Sequence, residues 1–314
     1  MENKIKKINL KHSFIFFIFC NIFSLLTFII NNFTISPLIC LLLILSIGIS
    51  HGSLDNIKGE KLQKILKINN NSFFYLLYSL ITVAIIVLWM IFPTICLIIF
   101  LIVASYHFGK EDTQFLIIAN SYSNQILFFI KGSLIILAPI YFHFDETINI
   151  FKVLLVNNEN FYYLLDFIEK NNILLFGIIL STLAHIILFG KNFETKKFAI
   201  FFDYFSILIL NFYFPPLLAF TVYFCFLHSV RHSITLILEL DNHDLGLGFK
   251  KFLKKALPLT ILTAIVSLIG LYFLNNTYNL NSSILKIIFI GLASLTFPHI
   301  LLEYLLEKNE KQRN

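Results

Sequence analysis

Long apolar runs separated by short polar segments dominate the sequence. A helix needs about 20 mostly apolar residues to cross a bilayer, and ten runs approach that length. They lie at 14–30, 36–50, 73–91, 93–107, 126–142, 172–189, 198–213, 215–239, 258–274 and 284–303. The runs at 36–50 and 93–107 are short, so the pattern predicts eight to ten transmembrane helices.

The positive charges alternate between the segments that join these runs. If the N-terminus is cytoplasmic, the inner segments contain 19 of the 24 Lys and Arg residues, and the outer loops contain two. The inner segments are 1–13, 51–72, 108–125, 190–197, 240–257 and 304–314. Because Lys and Arg favour the cytoplasmic side of a membrane, this asymmetry predicts that both termini are cytoplasmic.

The composition agrees with a chain surrounded by lipid. Hydrophobic residues make up 58% of the sequence and charged residues 13%, whereas a soluble domain has about 25% charged residues. We therefore predict an all-α, polytopic transmembrane helix bundle in the cell membrane. Residues 1–314 form a single integral-membrane domain with short cytoplasmic tails at 1–13 and 304–314. No nucleic-acid partner is predicted.

Five of the nine histidines fall in the cytoplasmic halves of even-numbered spans. His51 closes the second span, His107 closes the fourth, His228 and His232 lie in the eighth, and His299 lies in the tenth. Even-numbered spans all run from outside to inside, so they can present these imidazoles to one interior volume. Ionisable residues within spans are rare and usually mark a functional interior.

The spacing of two of these histidines favours a metal site. His228 and His232 are four residues apart, which places two imidazoles on one face of a helix. Imidazole suits zinc, copper, iron and nickel, and the lack of thiolates argues against a closed structural zinc site. His185 has no histidine or acidic companion in its span, and we expect it to bond a backbone carbonyl instead.

Several other residues accompany the histidines along the chain. A carboxylate that accepts the second N–H of a ligating imidazole fixes its orientation, and Asp55, Glu111 and Asp112 are candidates because they follow His51 or His107 by four or five residues. Arg231 is expected to neutralise one of these three carboxylates or to reach lipid phosphate. The residues predicted to surround the ligands or line a pocket are His299, Asp55, Asp112, Glu111, Arg231, Tyr106 and Tyr223.

Four short blocks that contain these residues resemble the Brp/Blh family of membrane β-carotene 15,15′-dioxygenases. They are HGSLD (51–55), HFGKED (107–112), HSVRH (228–232) and PHILL (298–302), in the order that the family has them. The resemblance extends from residue 51 to residue 302. The chain departs from the family at Val230, where many members have proline.

The resemblance implies a cofactor, a ligand set and a reaction. The cofactor is a non-haem iron(II), and its ligands would be His51, His107, His228 and His232. His299 would lie nearby, and its participation as a ligand stays open. The reaction would cleave β-carotene with O₂ at the central 15,15′ double bond and yield two all-trans-retinal molecules. A retinal-binding rhodopsin would be a possible product acceptor.

Other functions are compatible with part of this pattern. A different membrane non-haem iron oxygenase or desaturase acting on a lipid would need several clustered histidine boxes, and the sequence has one close pair. A membrane transporter with a His/Asp relay would favour internal repeats, and none is evident. A retinal-binding photoreceptor needs a lysine deep in a span. Lys131 and Lys286 lie near span ends and are expected to reach the interface.

Overall fold

The computed structural model describes residues 2–30, 35–50, 52–67, 71–117, 121–191 and 193–311. These ranges are almost entirely helical and contain no strand. The α-helices are α1 (Glu2–Ile29), α2 (Pro37–Ser46), α3 (Asp55–Leu66), α4 (Asn71–Ile91), α5 (Pro93–Glu111), α6 (Tyr122–Phe142), α7 (Phe144–Val153), α8 (Glu159–Lys170), α9 (Ile173–Gly190), α10 (Phe198–Tyr213), α11 (Pro216–Val222), α12 (Val230–Leu240), α13 (Leu245–Asn275) and α14 (Leu280–Lys311). The predicted all-α class is confirmed.

Within the described ranges, eight helical segments are long and apolar enough to cross a membrane. They are α1, α4, α5, α6, α9, the continuous segment from α11 to α12, α13 and α14. Helix α2 has 10 residues and α10 has 16, so the ten predicted runs correspond to eight full spans and two shorter apolar helices. The chain is therefore a multi-pass membrane protein, as predicted.

The helix bounds differ from the predicted spans mainly at their polar ends. Helix α1 begins at Glu2 and α13 at Leu245, well before the apolar runs at 14 and 258. Lysine is a good helix former, so the basic segments continue the helices, whereas a hydropathy pattern marks only the part within lipid. The outer segment 143–171, expected as a loop, contains α7 and the amphipathic α8.

The eighth predicted span is not a regular helix. Residues Tyr223–Ser229 form a π-helical segment between α11 and α12, and this segment carries His228. Short π-helical segments are rare and occur frequently at functional sites. Val230, at the position of the family's proline, donates its N–H to the carbonyl of Leu227. A proline there would lack this donor, so the local hydrogen bonding depends on the departure from the family pattern.

Two glycines let α5 and α6 approach with backbone in contact. A Cβ atom on Gly109 would lie 1.8 Å from the carbonyl oxygen of Phe128, and one on Gly132 would lie 1.9 Å from that of Ser105. Neither position has room for a larger residue. The crossing fixes the end of α5, which carries His107 and the acids that follow it.

The two intramembrane lysines are both buried but have different surroundings. Lys131 is 3% exposed and Lys286 is 5% exposed. Lys286 donates a hydrogen bond to the carbonyl of Val153. The expectation that these side chains reach the interface was therefore wrong for Lys131, whose charged neighbours inside the bundle include Asp112 and Asp203. It stands for Lys286, because Val153 belongs to the outer segment 143–171.

Candidate metal centre

Four histidines from distant parts of the chain meet in the interior. His107 comes from α5, His228 from the π-helical segment, His232 from α12 and His299 from α14, and all are at least nine-tenths buried. The ring centre of His107 lies 5.3 Å from that of His228 and 5.5 Å from that of His299. The rings of His232 and His299 are 6.0 Å apart. We call these four residues the histidine cluster.

Three imidazoles of the cluster are held by carboxylates at the same ring atom, Nδ1. The pairs are His228 with Asp112 at 3.2 Å, His232 with Glu111 at 3.0 Å, and His299 with Asp55 at 2.8 Å. A carboxylate only accepts, so Nδ1 is the donor, and in a neutral imidazole Nε2 then carries the lone pair. This orientation by a carboxylate is typical of metal-binding histidines.

The carboxylates are themselves fixed by tyrosines. Tyr223 donates its hydroxyl to Oδ2 of Asp112 at 2.6 Å. Tyr78, on α4, donates to Oδ2 of Asp55 at 3.0 Å. Tyr223 was among the predicted surrounding residues and Tyr78 was not. The hydrogen bond between Tyr78 and Asp55 joins α4 to α3 across 23 residues, and no local pattern in the sequence predicts it.

Arg231 lies next to the histidine cluster, in a buried ion pair. Its guanidinium binds Asp203 of α10 through two hydrogen bonds, of 2.7 and 2.9 Å. It also donates to Ser13 at 2.6 Å and to the carbonyl of Asp112 at 3.1 Å. The main partner of Arg231 is therefore Asp203, which was not among the three predicted carboxylates. The carboxylate of Asp112, which was among them, lies further away, at 3.9 Å.

Glu303 is a second acidic residue that sequence reasoning missed. Among the described residues, two sets of three side chains have ligand atoms within 4.8 Å of one another, and Glu303 belongs to both. The sets are His107, His299, Glu303 and Glu111, His232, Glu303. Glu303 follows His299 by four residues on α14. The spacing that drew attention to His228 and His232 was therefore present here as well.

Lys58, on α3, balances part of this charge. Its Nζ lies 2.6 Å from Oε1 of Glu303, and both side chains are largely buried. Burial disfavours the ammonium, but the charges of Glu303 and Asp55 outweigh that effect and raise the pKa of Lys58. Lys58 is therefore cationic at neutral pH.

A count of buried charges leaves the region around the histidine cluster negative. The described residues bring five carboxylates and three cations together there: Asp55, Glu111, Asp112, Asp203 and Glu303 with Lys58, Lys131 and Arg231. Lys110 is paired separately with Glu307. Two negative charges are in excess if the imidazoles are neutral. Because uncompensated buried charge is costly, an excess of carboxylates beside imidazole nitrogens suits a bound cation.

An apolar cavity adjoins the histidine cluster. Phe108 and Tyr223 line it, and the ring of Phe108 packs edge-on against that of His228 with centres 4.8 Å apart. The cavity is bounded by residues of α5, α6, α7, α10, α11 and α14. On α5 its lining runs from Phe108 back to Leu97, which is about 16 Å at 1.5 Å per residue. The site thus combines buried nitrogen and oxygen donors with a long apolar binding space.

The remaining predicted residues have different positions. His51 lies outside the described residues, so its place in the ligand set stays a prediction. Tyr106 is half-buried and makes no hydrogen bond or ring contact with the histidine cluster in the described ranges. His185 bonds the carbonyl of Ser181 at 2.7 Å, which confirms the expectation of a carbonyl partner.

Comparison with known proteins agrees with the resemblance of the four blocks. The sequence model of a family described as "Beta-carotene 15,15′-dioxygenase" matches residues 42–307. A curated protein named "Beta-carotene 15,15′-dioxygenase", from uncultured marine bacterium 66A03, is 28% identical over 263 residues, which cover 83% of this chain and 90% of that protein. No solved structure matches. The predicted enzyme class, a carotenoid-cleaving dioxygenase, is confirmed at the level of the family. The chain belongs to the beta-carotene 15,15′-dioxygenase family.

Proposed function

We propose that this protein cleaves β-carotene with O₂ at its central 15,15′ double bond. The double bond breaks and each of its carbons becomes an aldehyde carbon, so one O₂ and one β-carotene balance two all-trans-retinal molecules. The observation that carries the proposal is that Phe108 both lines the apolar cavity and packs on His228 of the histidine cluster. Polar donors for a metal and a binding space for a long hydrocarbon meet at His228 and Phe108.

The proposed cofactor is one iron(II), bound at the histidine cluster. Its ligands would include His107, His228 and His232, together with His51 as the resemblance implies. The imidazole nitrogens and the excess of carboxylates over cations both suit a transition-metal cation. When bound, the iron supplies the redox chemistry with O₂ that amino-acid side chains lack.

The protein residues have three tasks in this reaction. Asp112 and Glu111 hold His228 and His232 through Nδ1, which keeps both rings oriented and the Nε2 lone pairs available to a metal. Phe108 and Phe224 pack on the ring of His228 and exclude water from it. The cavity binds one half of the polyene and directs its central bond towards the histidine cluster.

The membrane supplies the substrate in this scheme. β-Carotene is a hydrocarbon that partitions into the bilayer, and the cavity lies among membrane-crossing helices. We place the enzyme in the cell membrane with both termini in the cytoplasm and the histidine cluster towards the cytoplasmic side, in agreement with the distribution of Lys and Arg. Retinal released there would be available to a retinal-binding rhodopsin.

The direct test is expression in bacteria that accumulate β-carotene. We expect the cells to lose their orange colour and to contain all-trans-retinal, measured by chromatography, in an iron- and oxygen-dependent manner. Cells that stay orange and form no retinal, despite iron supply and confirmed insertion of the protein into the membrane, would overturn the proposal.

A substitution that narrows the cavity tests its role as the substrate site. Ala104 lines the cavity on α5 and is fully buried. We expect Ala104→Phe to lower kcat/KM for β-carotene by about 10- to 100-fold, since overpacking costs about 1–3 kcal/mol. Iron content should not change. Ile102→Phe is the matched control, because Ile102 lies two residues away on the outer side of the helix and is 52% exposed. Equal activity of the two variants would exclude the cavity as the substrate site.

A further inference from the structure

We propose that Glu303 is a direct ligand of the metal at the histidine cluster. This inference rests on the proposed function for the identity of the metal, and it adds a carboxylate oxygen to a ligand set that the resemblance limits to imidazoles. Glu303 lies outside the four blocks that carry the resemblance, since the last of them ends at residue 302.

The position of Glu303 is central among the available donors. It is the shared member of the two three-residue sets, so its oxygens lie within 4.8 Å of ligand atoms of His107 and His299 on one side and of Glu111 and His232 on the other. Ligand atoms bound to one ion at about 2.0–2.2 Å are separated by at most about 4.4 Å. Small side-chain adjustments would therefore bring a Glu303 oxygen and an imidazole nitrogen onto the same ion.

The known contacts of Glu303 leave it able to bind a metal. Lys58 and Nε2 of His299 both approach the same oxygen, Oε1, at 2.6 and 3.6 Å. A carboxylate has a second oxygen with its own lone pairs, so Oε2 can bind the metal while Oε1 keeps Lys58.

The chemistry of the donors favours this assignment. Non-haem iron(II) oxygenases commonly combine histidines with one carboxylate and keep positions open. The other acids of the site already have specific partners: Asp112 and Glu111 bind His228 and His232, and Asp55 binds His299. Glu303 pairs with Lys58, and that ion pair alone does not explain why Glu303 lies between the two donor sets.

Metal titration of the purified full chain tests the assignment without measuring activity. Fe²⁺ is titrated anaerobically against a competing chelator, and Co²⁺ serves as an optical probe of the ligands. We compare Lys58→Met with the double variant Lys58→Met/Glu303→Gln, because the double variant leaves no unpaired buried charge. We expect the double variant to bind Fe²⁺ about 100-fold more weakly or worse, beyond the 10- to 100-fold typical of residues that only support a ligand. Its Co²⁺ absorption bands should also shift.

Two controls separate a ligand from a structural residue. Lys58→Met keeps the carboxylate and removes a cation that competes with the metal, so it should bind Fe²⁺ at least as tightly as the wild type and keep the wild-type Co²⁺ spectrum. Glu307→Gln should do the same, because Glu307 lies one turn further along α14 and is paired with Lys110. Unchanged affinity or an unchanged Co²⁺ spectrum in the double variant would overturn the inference and leave the proposed function standing. If the wild-type chain binds metal through Glu303 but cleaves no β-carotene, the inference stands and the proposed function is overturned.

Discussion

Purified His228→Ala and His232→Ala variants are expected to contain no iron and to leave β-carotene uncleaved. Each substitution removes a proposed ligand and also leaves a buried carboxylate, Asp112 or Glu111, without the imidazole that it holds. Mutation of a group that hydrogen-bonds a metal-binding histidine already lowers metal affinity by about 10- to 100-fold. Loss of the histidine itself should therefore reduce iron retention below detection. Iron per folded chain and retinal formed in β-carotene-producing cells are the two measurements.

His185→Ala is the matched control for these variants. His185 is equally buried, but it bonds the carbonyl of Ser181 within its own helix and packs on Tyr204, away from the histidine cluster. We expect this variant to keep its iron and to form retinal. A His232→Ala protein with full iron content would show that His232 is not a ligand, and loss of iron in His185→Ala would show that iron retention reports general damage to the fold.

Hydropathy was sufficient for the fold class because lipid imposes a simple rule. Backbone N–H and C=O groups within the bilayer must form hydrogen bonds inside their own segment. Each long apolar run therefore becomes a helix, and the described helices follow the ten runs closely. The same pattern gave no information on the π-helical segment Tyr223–Ser229, whose hydrogen bonding depends on packing. It also missed α7 and α8, which lie outside the apolar runs.

The histidines of the site were predictable from the spans that carry them, whereas most of the pairings between helices were not. His228, His232 and the acids after His107 stand out by spacing, and the structure brings them together. The pairing of Arg231 with Asp203 joins positions 28 residues apart on different helices, and sequence spacing carries no signal for such a contact. Glu303 is different, because its four-residue spacing from His299 is visible in the sequence but was not used in the prediction.

The largest effect on stability is expected from Arg231→Met. This substitution leaves Asp203 without its partner at a buried position, and breaking a buried ion pair by removing one member typically costs about 3–5 kcal/mol. The double variant Arg231→Met/Asp203→Asn should recover most of that loss, because it removes the unpaired carboxylate as well as the guanidinium. Lys131 then remains as the nearby positive charge for Asp112. Unfolding in detergent, followed by thermal or denaturant titration of metal-free protein, gives the comparison.

An exposed ion pair provides the reference for this experiment. Lys61 and Glu310 are in contact at 2.5 Å, with side chains 63% and 44% exposed, and Lys61→Met should change stability by less than about 1 kcal/mol. If Arg231 acted mainly through its hydrogen bonds to Ser13 and to the carbonyl of Asp112, the double variant would be as unstable as Arg231→Met. Recovery would instead assign the cost to the charge of Asp203. In that case the main task of Arg231, beside the proposed metal ligands, is to neutralise a carboxylate that faces no imidazole of the histidine cluster.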